Sequence, residues 1–344
     1  MENGQALRRI TDFYIDLGTA NTLVYIKGSG LVINEPTVLT VQQKTSKFFE
    51  HSAFGKNAKE MLGKTPLSMH SIRPLKEGVI SDFEQACKLV EFFMKNIGQK
   101  GALRKARSII SLPCQVTRHE KQAIRDLGKS LGVGGLDLIT EPMAAAIGSG
   151  FDVLESKGKM VVDIGGGTSE TAIISLGGIV SSQAERVGGV GLDEAIIDHL
   201  KFKYHFYIGE QTAENLKILV GSALADSEDV RECEIGGIDL KTGLPRKMVV
   251  TSVMIFPPIN QFVKKIISLV SKALEECLPE ISGDLSEDGI FLTGGGSLLR
   301  KLPERISKEI GIKVARTTHP LYSVSAGGAK VLEDHKLFDR LQAG

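Results

Sequence analysis

One β-hairpin pattern occurs twice in this chain, and that repetition restricts the possible folds more than any other feature. "YIDLGTANTLVYIKG" runs from Tyr14 to Gly28, and "VVDIGGGTSETAIISLGG" runs from Val161 to Gly178. Each reads as an apolar, β-prone strand with an Asp near its end, a turn of small and hydroxyl residues, and a second apolar strand. Such a turn leaves backbone N–H groups free to converge on one anion. The lone Asp before each turn, Asp16 or Asp163, would repel a phosphate unless a cation lay between them. Mg²⁺ suits that gap. It keeps several waters and takes few protein oxygens, so one carboxylate from each hairpin, largely through water, would suffice. Two such hairpins facing each other would clamp a polyphosphate from both sides. A single D-x-G is merely a common turn; the expectation rests on two copies in matching strand contexts.

Two further segments fit the same ligand. In "IFLTGGGSLLRKL", an apolar strand meets Gly294, Gly295 and Gly296. Three glycines clear a surface of side chains, so a flat ring could lie on the backbone; a plain strand-to-helix turn is the other reading. In "LDLITEPMAAAIGSG", Glu141 precedes Pro142, a residue favoured at a helix start. Glu141 could orient a water toward a terminal phosphate. It could equally be a capping carboxylate at the helix N-terminus, favoured by the helix dipole.

Other chemistries lack their signatures. The 344 residues suffice for about two domains, and the net charge of +1 gives no basic field for nucleic acid. Cys87, Cys114, Cys233 and Cys277 form no C-x-x-C pair, so neither a zinc site nor a redox motif is signalled. There is no G-x-x-x-x-G-K-[ST], no dinucleotide G-x-G-x-x-G, and no H-E-x-x-H or G-x-S-x-G. The N-terminus has no apolar run of signal-peptide length. The uncharged stretch from Met248 to Val263 is short for a membrane span and carries Pro257 and Pro258. A cytoplasmic protein that does not cross a membrane is expected.

With these residues in view, the chain resembles the ATPase superfamily of actin, heat-shock chaperones and sugar kinases, and within it the bacterial actin MreB family. The resemblance is carried by "IDLGTANTLVYIKGSGLVINEP", "IRPLKEGVISDF", "EPMAAAIG", "MVVDIGGGTSE", "IGEQTAENLK" and "LTGGGSLLRKL", and it runs from about Ile15 to Leu332. It implies an α/β actin-like fold of two duplicated RNase H-like domains, each with a smaller inserted subdomain. Subdomain IA would take 1–34, 72–145 and 320–344; IB 35–71; IIA 146–183 and 248–319; IIB 184–247. ATP with Mg²⁺ would lie in the cleft, with Asp16 and Asp163 as the metal and phosphate carboxylates. Gly18, Thr19, Ala20 and Asn21 would form the first phosphate loop, and Gly165, Gly166, Gly167 and Thr168 the second. Glu141 would be the hydrolytic residue. Glu214 and Lys217 would contact ribose and adenine, above a shelf of Gly294, Gly295 and Gly296.

The family also implies homopolymer filaments at the inner membrane face that organise cell-wall synthesis with membrane partners. A lipid contact here would fall on "GQKGALRKARS", with Leu103 among Lys100, Arg104, Lys105 and Arg107. A solvated basic loop is the alternative. The chain departs from the family pattern at Val190, where an Asp is usual, at Gln115 in Pro113–Thr117, at Leu67-Ser68 and at His319. These leave room for a specialised paralogue serving another scaffold. A monomeric chaperone-type switch is disfavoured because the sequence leaves no room for a substrate domain. A sugar kinase is disfavoured because no second catalytic carboxylate beside Glu141 is evident.

Overall fold

The computed structural model describes residues 12–43, 49–95, 97, 103, 106–225 and 228–342. Two five-stranded sheets organise them. In the first, β1 (Phe13–Leu17), β2 (Asn21–Ile26) and β3 (Gly30–Pro36) form an antiparallel meander. Strands β4 (Arg107–Leu112) and β5 (Gly135–Thr140) add in parallel on the far side of β1, giving the order β5-β4-β1-β2-β3. The second sheet repeats the plan with β6 (Lys159–Ile164), β7 (Ser169–Ser175), β8 (Gly178–Glu185), β9 (Ile290–Thr293) and β10 (Val314–Arg316), in the order β8-β7-β6-β9-β10. The two orders match strand for strand, so the repeated hairpin is the visible part of a duplicated domain. We call the halves domains I and II.

Five helices position the site: α1 (Gly55–Met61), α2 (Glu141–Gly148), α3 (Glu210–Val220), α4 (Ser252–Glu275) and α5 (Ser323–Glu333). Helix α1 belongs to an insert between β3 and β4, beside a small sheet of Leu39–Gln43, Phe49–Phe54 and Met69–Ile72. Helix α3 belongs to an insert between β8 and β9, with a sheet of Phe206–Tyr207, Glu232–Asp239 and Pro245–Thr251.

Helices α2 and α5 lie between the two sheets and share one core with both. Tyr14 and Ile109 reach it from the first sheet, and Val161, Ala172 and Ile174 from the second. The helices cross with their backbones in contact. A Cβ on Gly327 would overlap the Ala144 carbonyl, one on Gly148 the Ser323 carbonyl, and one on Gly328 the Tyr14 ring. The small residues after Glu141 therefore fix where that helix begins.

Helix α4 corrects one expectation. The apolar stretch around Met248–Val263 extends into a 24-residue helix, long and apolar enough by composition to span a membrane. Its apolar face is nonetheless in the domain II core, through Ile255, Ile259, Val263, Ile266 and Val270. Each fully buried side chain of this size contributes about 1.5–3 kcal/mol, which accounts for the helix without a bilayer.

Candidate functional site

The two hairpin turns meet. Gly18 donates its N–H to the Asn21 carbonyl at 3.0 Å, and Gly165 donates to the Thr168 carbonyl at 2.8 Å, so each turn closes on itself. A Cβ on Gly166 would stand 2.6 Å from the Ala20 Cβ. One on Gly167 would stand 2.6 Å from the Gly78 nitrogen and overlap the Thr19 hydroxyl. Glycine here serves contact between the domains as well as backbone approach to a ligand. Thr19 Oγ1 also accepts the Gly78 N–H at 2.9 Å.

The turns line a cleft of about 820 Å³, within the usual range for small-molecule sites. Asp16, Gly18 to Asn21, Glu141, Asp163, Gly165 to Thr168, Glu214, Lys217 and Gly294 to Gly296 all line it. Every residue expected at a nucleotide is thus brought to one cavity. Gly294, at φ +76°, has a further duty, since a Cβ there would overlap the Asp163 carboxylate.

The cleft floor collects negative charge. Burial pushes the Asp16 carboxyl up to about 7, with the Asp163 charge adding to it. Burial pushes Asp163 to about 6. Glu141 is held well above the usual carboxylate range, first by burial and then by Glu170, Asp16 and Asp163. Asp163 Oδ1 is buried with no hydrogen-bond partner among the described residues. Buried polar atoms are normally paired, so an orphaned hard oxygen beside mutually repelling carboxylates fits a divalent cation. No cluster of three or more metal-binding side chains lies among the described residues. Phosphate and water would have to complete such an ion's shell, in the way Mg²⁺ is commonly held.

Sequence reasoning missed several contacts of this site. Glu214 lines the cleft, but its carboxylate is 2.7 Å from the Lys59 ammonium on α1. Beside this pair, Arg73 reaches Glu210 at 3.2 Å, and the Gln211 amide donates to the Lys59 carbonyl. The two inserts therefore join across the mouth. Lys217 is held by Asp193 at 2.8 Å and by the Gly189 carbonyl at 2.9 Å. Glu170 is a second buried carboxylate near Glu141, but it does not line the cleft. It was in plain view in "GGGTSE", but only the folded register turns it inward.

The departures from the family pattern also find places. Val190 lines the cleft, and its N–H donates to the Gly166 carbonyl at 2.9 Å. The Gln115 amide donates to the Ser182 carbonyl at 3.2 Å, a bond between domains that glycine could not make. The His319 carbonyl accepts from the Ser323 hydroxyl at 3.1 Å, at the start of α5. Leu67 is almost fully exposed.

The expected lipid contact is corrected in part. Leu103 is 8% exposed and packs in the domain I core with Phe13, Ile15 and Leu127, so it has no side chain to insert. Arg107 pairs with Asp137 at 2.6 Å and stacks on the Phe338 ring at 4.7 Å. Lys100, Arg104 and Lys105 lie outside the described residues.

Comparison with known proteins agrees with the geometry. The family model described as MreB/Mbl protein matches residues 10–340. The cell shape-determining protein MreB of Escherichia coli (strain K12) is 45% identical over 324 residues, covering 94% of this chain and 93% of its own. The crystal structure of MreB 5 of Spiroplasma citri bound to AMPPNP superposes with a TM-score of 0.88 at 31% identity, covering 97% of this chain and 99% of that one. The MamK double helical filament shares the fold, with a TM-score of 0.74 at 18% identity over 94% of this chain and 99% of that one. The fold is actin-like, and the chain belongs to the MreB/Mbl family.

Proposed function

We propose that this protein is an ATP-dependent, filament-forming cytoskeletal protein that shapes the cell, and that it hydrolyses ATP slowly to time its own disassembly. The observation that carries the reading is the contact of the two hairpin turns, with Asp16, Asp163 and Glu141 facing one cleft. Relatives named as cell shape-determining proteins and a relative solved with AMPPNP support it.

The backbone N–H groups of 19–21 and 166–168, left free by the turn-closing bonds of Gly18 and Gly165, hold the phosphates from opposite sides. Mg²⁺, when bound, supplies positive charge to the phosphate oxygens, with Asp16 and Asp163 holding it through water. Gly294, Gly295 and Gly296 leave room for the base, with Glu214 and Lys217 at the ribose end. Glu141 stands at the start of α2 and orients the attacking water; its raised proton affinity suits it to receive a proton. Leu103 is part of the core, so the reading includes no lipid contact through it.

Pelleting and phosphate release on wild type and Glu141→Ala test the proposal. Wild type sediments with Mg·ATP and releases phosphate slowly. Glu141→Ala still sediments, its filaments persist, and phosphate release falls by about 10²–10⁴-fold. Unchanged release would leave Glu141 with only a helix-terminal role. No sedimentation under any nucleotide condition would refute the filament reading.

A further inference from the structure

One buried carboxylate has no part in nucleotide binding as described. Glu170 lies on β7, two residues beyond Thr168, in register with Asp163 on β6. It is 1% exposed. It does not line the nucleotide cleft; it lines a small cavity behind it, with Thr168, Pro113 and Gln115. Its two carboxylate oxygens accept the Cys114 N–H at 3.1 and 3.2 Å. Cys114 follows β4 in domain I, so this bond joins the two domains directly behind the second phosphate turn.

The bond also bears on Glu141. Strands β4 and β5 run parallel with Leu112 opposite Thr140. The Cys114 loop and Glu141 therefore leave the sheet side by side. Two more contacts tie the same stretch to domain II, Gln115 to the Ser182 carbonyl at 3.2 Å and Arg186 to Glu120 at 2.8 Å. Those two are exposed, and exposed polar contacts contribute little. The Glu170 bond is buried, and a buried carboxylate is costly to keep without a task.

We propose that Glu170 is a positioning residue for hydrolysis: it ties the Cys114 loop of domain I to the second phosphate turn of domain II and so fixes Glu141 relative to Thr168. This rests on the reading of Glu141 as the residue that orients water. Glu170 touches no nucleotide; it acts through the loop. After burial, the Glu170 carboxyl is the largest influence raising the proton affinity of Glu141. A misplacement of about 1 Å at a reacting centre can cost about 10²-fold in rate.

The test compares Glu170→Gln, Glu170→Asp and Glu170→Ala by single-turnover phosphate release, with Mg·AMPPNP binding and thermal melting measured alongside. Gln keeps an oxygen at the same reach for the Cys114 N–H. Asp keeps the charge but withdraws the oxygen by one methylene. The expected result is Gln within about fivefold of wild type, with Asp and Ala slowed about 10–100-fold and AMPPNP affinity within about threefold for all. Should Ala fail to fold, the order of Gln and Asp still decides. Asp faster than Gln would show that charge matters rather than the tie, and would overturn the proposal. Full rate in Asp and Ala, or a loss confined to KM, would overturn it too. Glu141→Ala run in parallel separates the two readings. If it abolishes release while the Glu170 variants do not, only this inference fails; if it has no effect, the Glu141 assignment fails first.

Discussion

The Lys59 ammonium lies 2.7 Å from the Glu214 carboxylate and bridges the two inserts across the mouth of the cleft. Both side chains are about one-third exposed, so the pair contributes at most about 1 kcal/mol to stability. Its position matters more than its energy. Glu214 is also the group proposed to face the ribose, so the bridge and a bound nucleotide draw on the same carboxylate. Lys59→Ala should leave thermal stability nearly unchanged and speed release of a fluorescent ADP analogue several-fold in stopped flow. An unchanged release rate would show that the bridge does not govern the mouth.

The floor carboxylates make the nucleotide-free protein sensitive to pH in an unusual direction. Asp16 and Asp163 keep their protons to about pH 7 and 6 in the folded chain. In the unfolded chain both would ionise near pH 4. Between those limits the folded state holds more protons, so stability from these groups is present at low pH and declines as pH rises toward 7. Melting temperatures without nucleotide should therefore fall from about pH 5 to about pH 7.5 more steeply in wild type than in Asp163→Asn. Parallel slopes would contradict this.

Close packing of α2 on α5 gives a stability prediction. Gly327→Ala places a methyl against the Ala144 carbonyl. Neither backbone can yield without moving the start of α2, so the change should cost about 1–3 kcal/mol. Urea unfolding measures it, and phosphate release should slow in parallel because Glu141 shifts. A midpoint equal to wild type would mean that the helices have slack.

The parts of this molecule that were legible in sequence are local ones. Asp16, Asp163 and their turns show as strand, carboxylate and small residues within one hairpin, and the duplication shows because the hairpin recurs. The pairs Lys59–Glu214, Lys217–Asp193 and Glu170–Cys114 form only when distant segments meet, so no spacing announces them. Leu103 was misread for a related reason. One core residue among basic neighbours looks like an exposed loop until Phe13 and Leu127 are seen to pack on it. Helix α4 outran its expected length because prolines in its first two turns do not stop it.

The most direct test of the account is calorimetric titration of AMPPNP into the protein with and without Mg²⁺, for wild type, Asp16→Ala and Asp163→Ala. If the facing hairpins hold a phosphate-bound cation between them, wild type should bind at least about tenfold more tightly with Mg²⁺, about 1.4 kcal/mol. Each single variant should lose most of that gain while keeping its Mg²⁺-free affinity. The double variant should lose little more than either alone, because both carboxylates act on one ion. A Mg²⁺ gain that survives in either single variant would contradict the clamp.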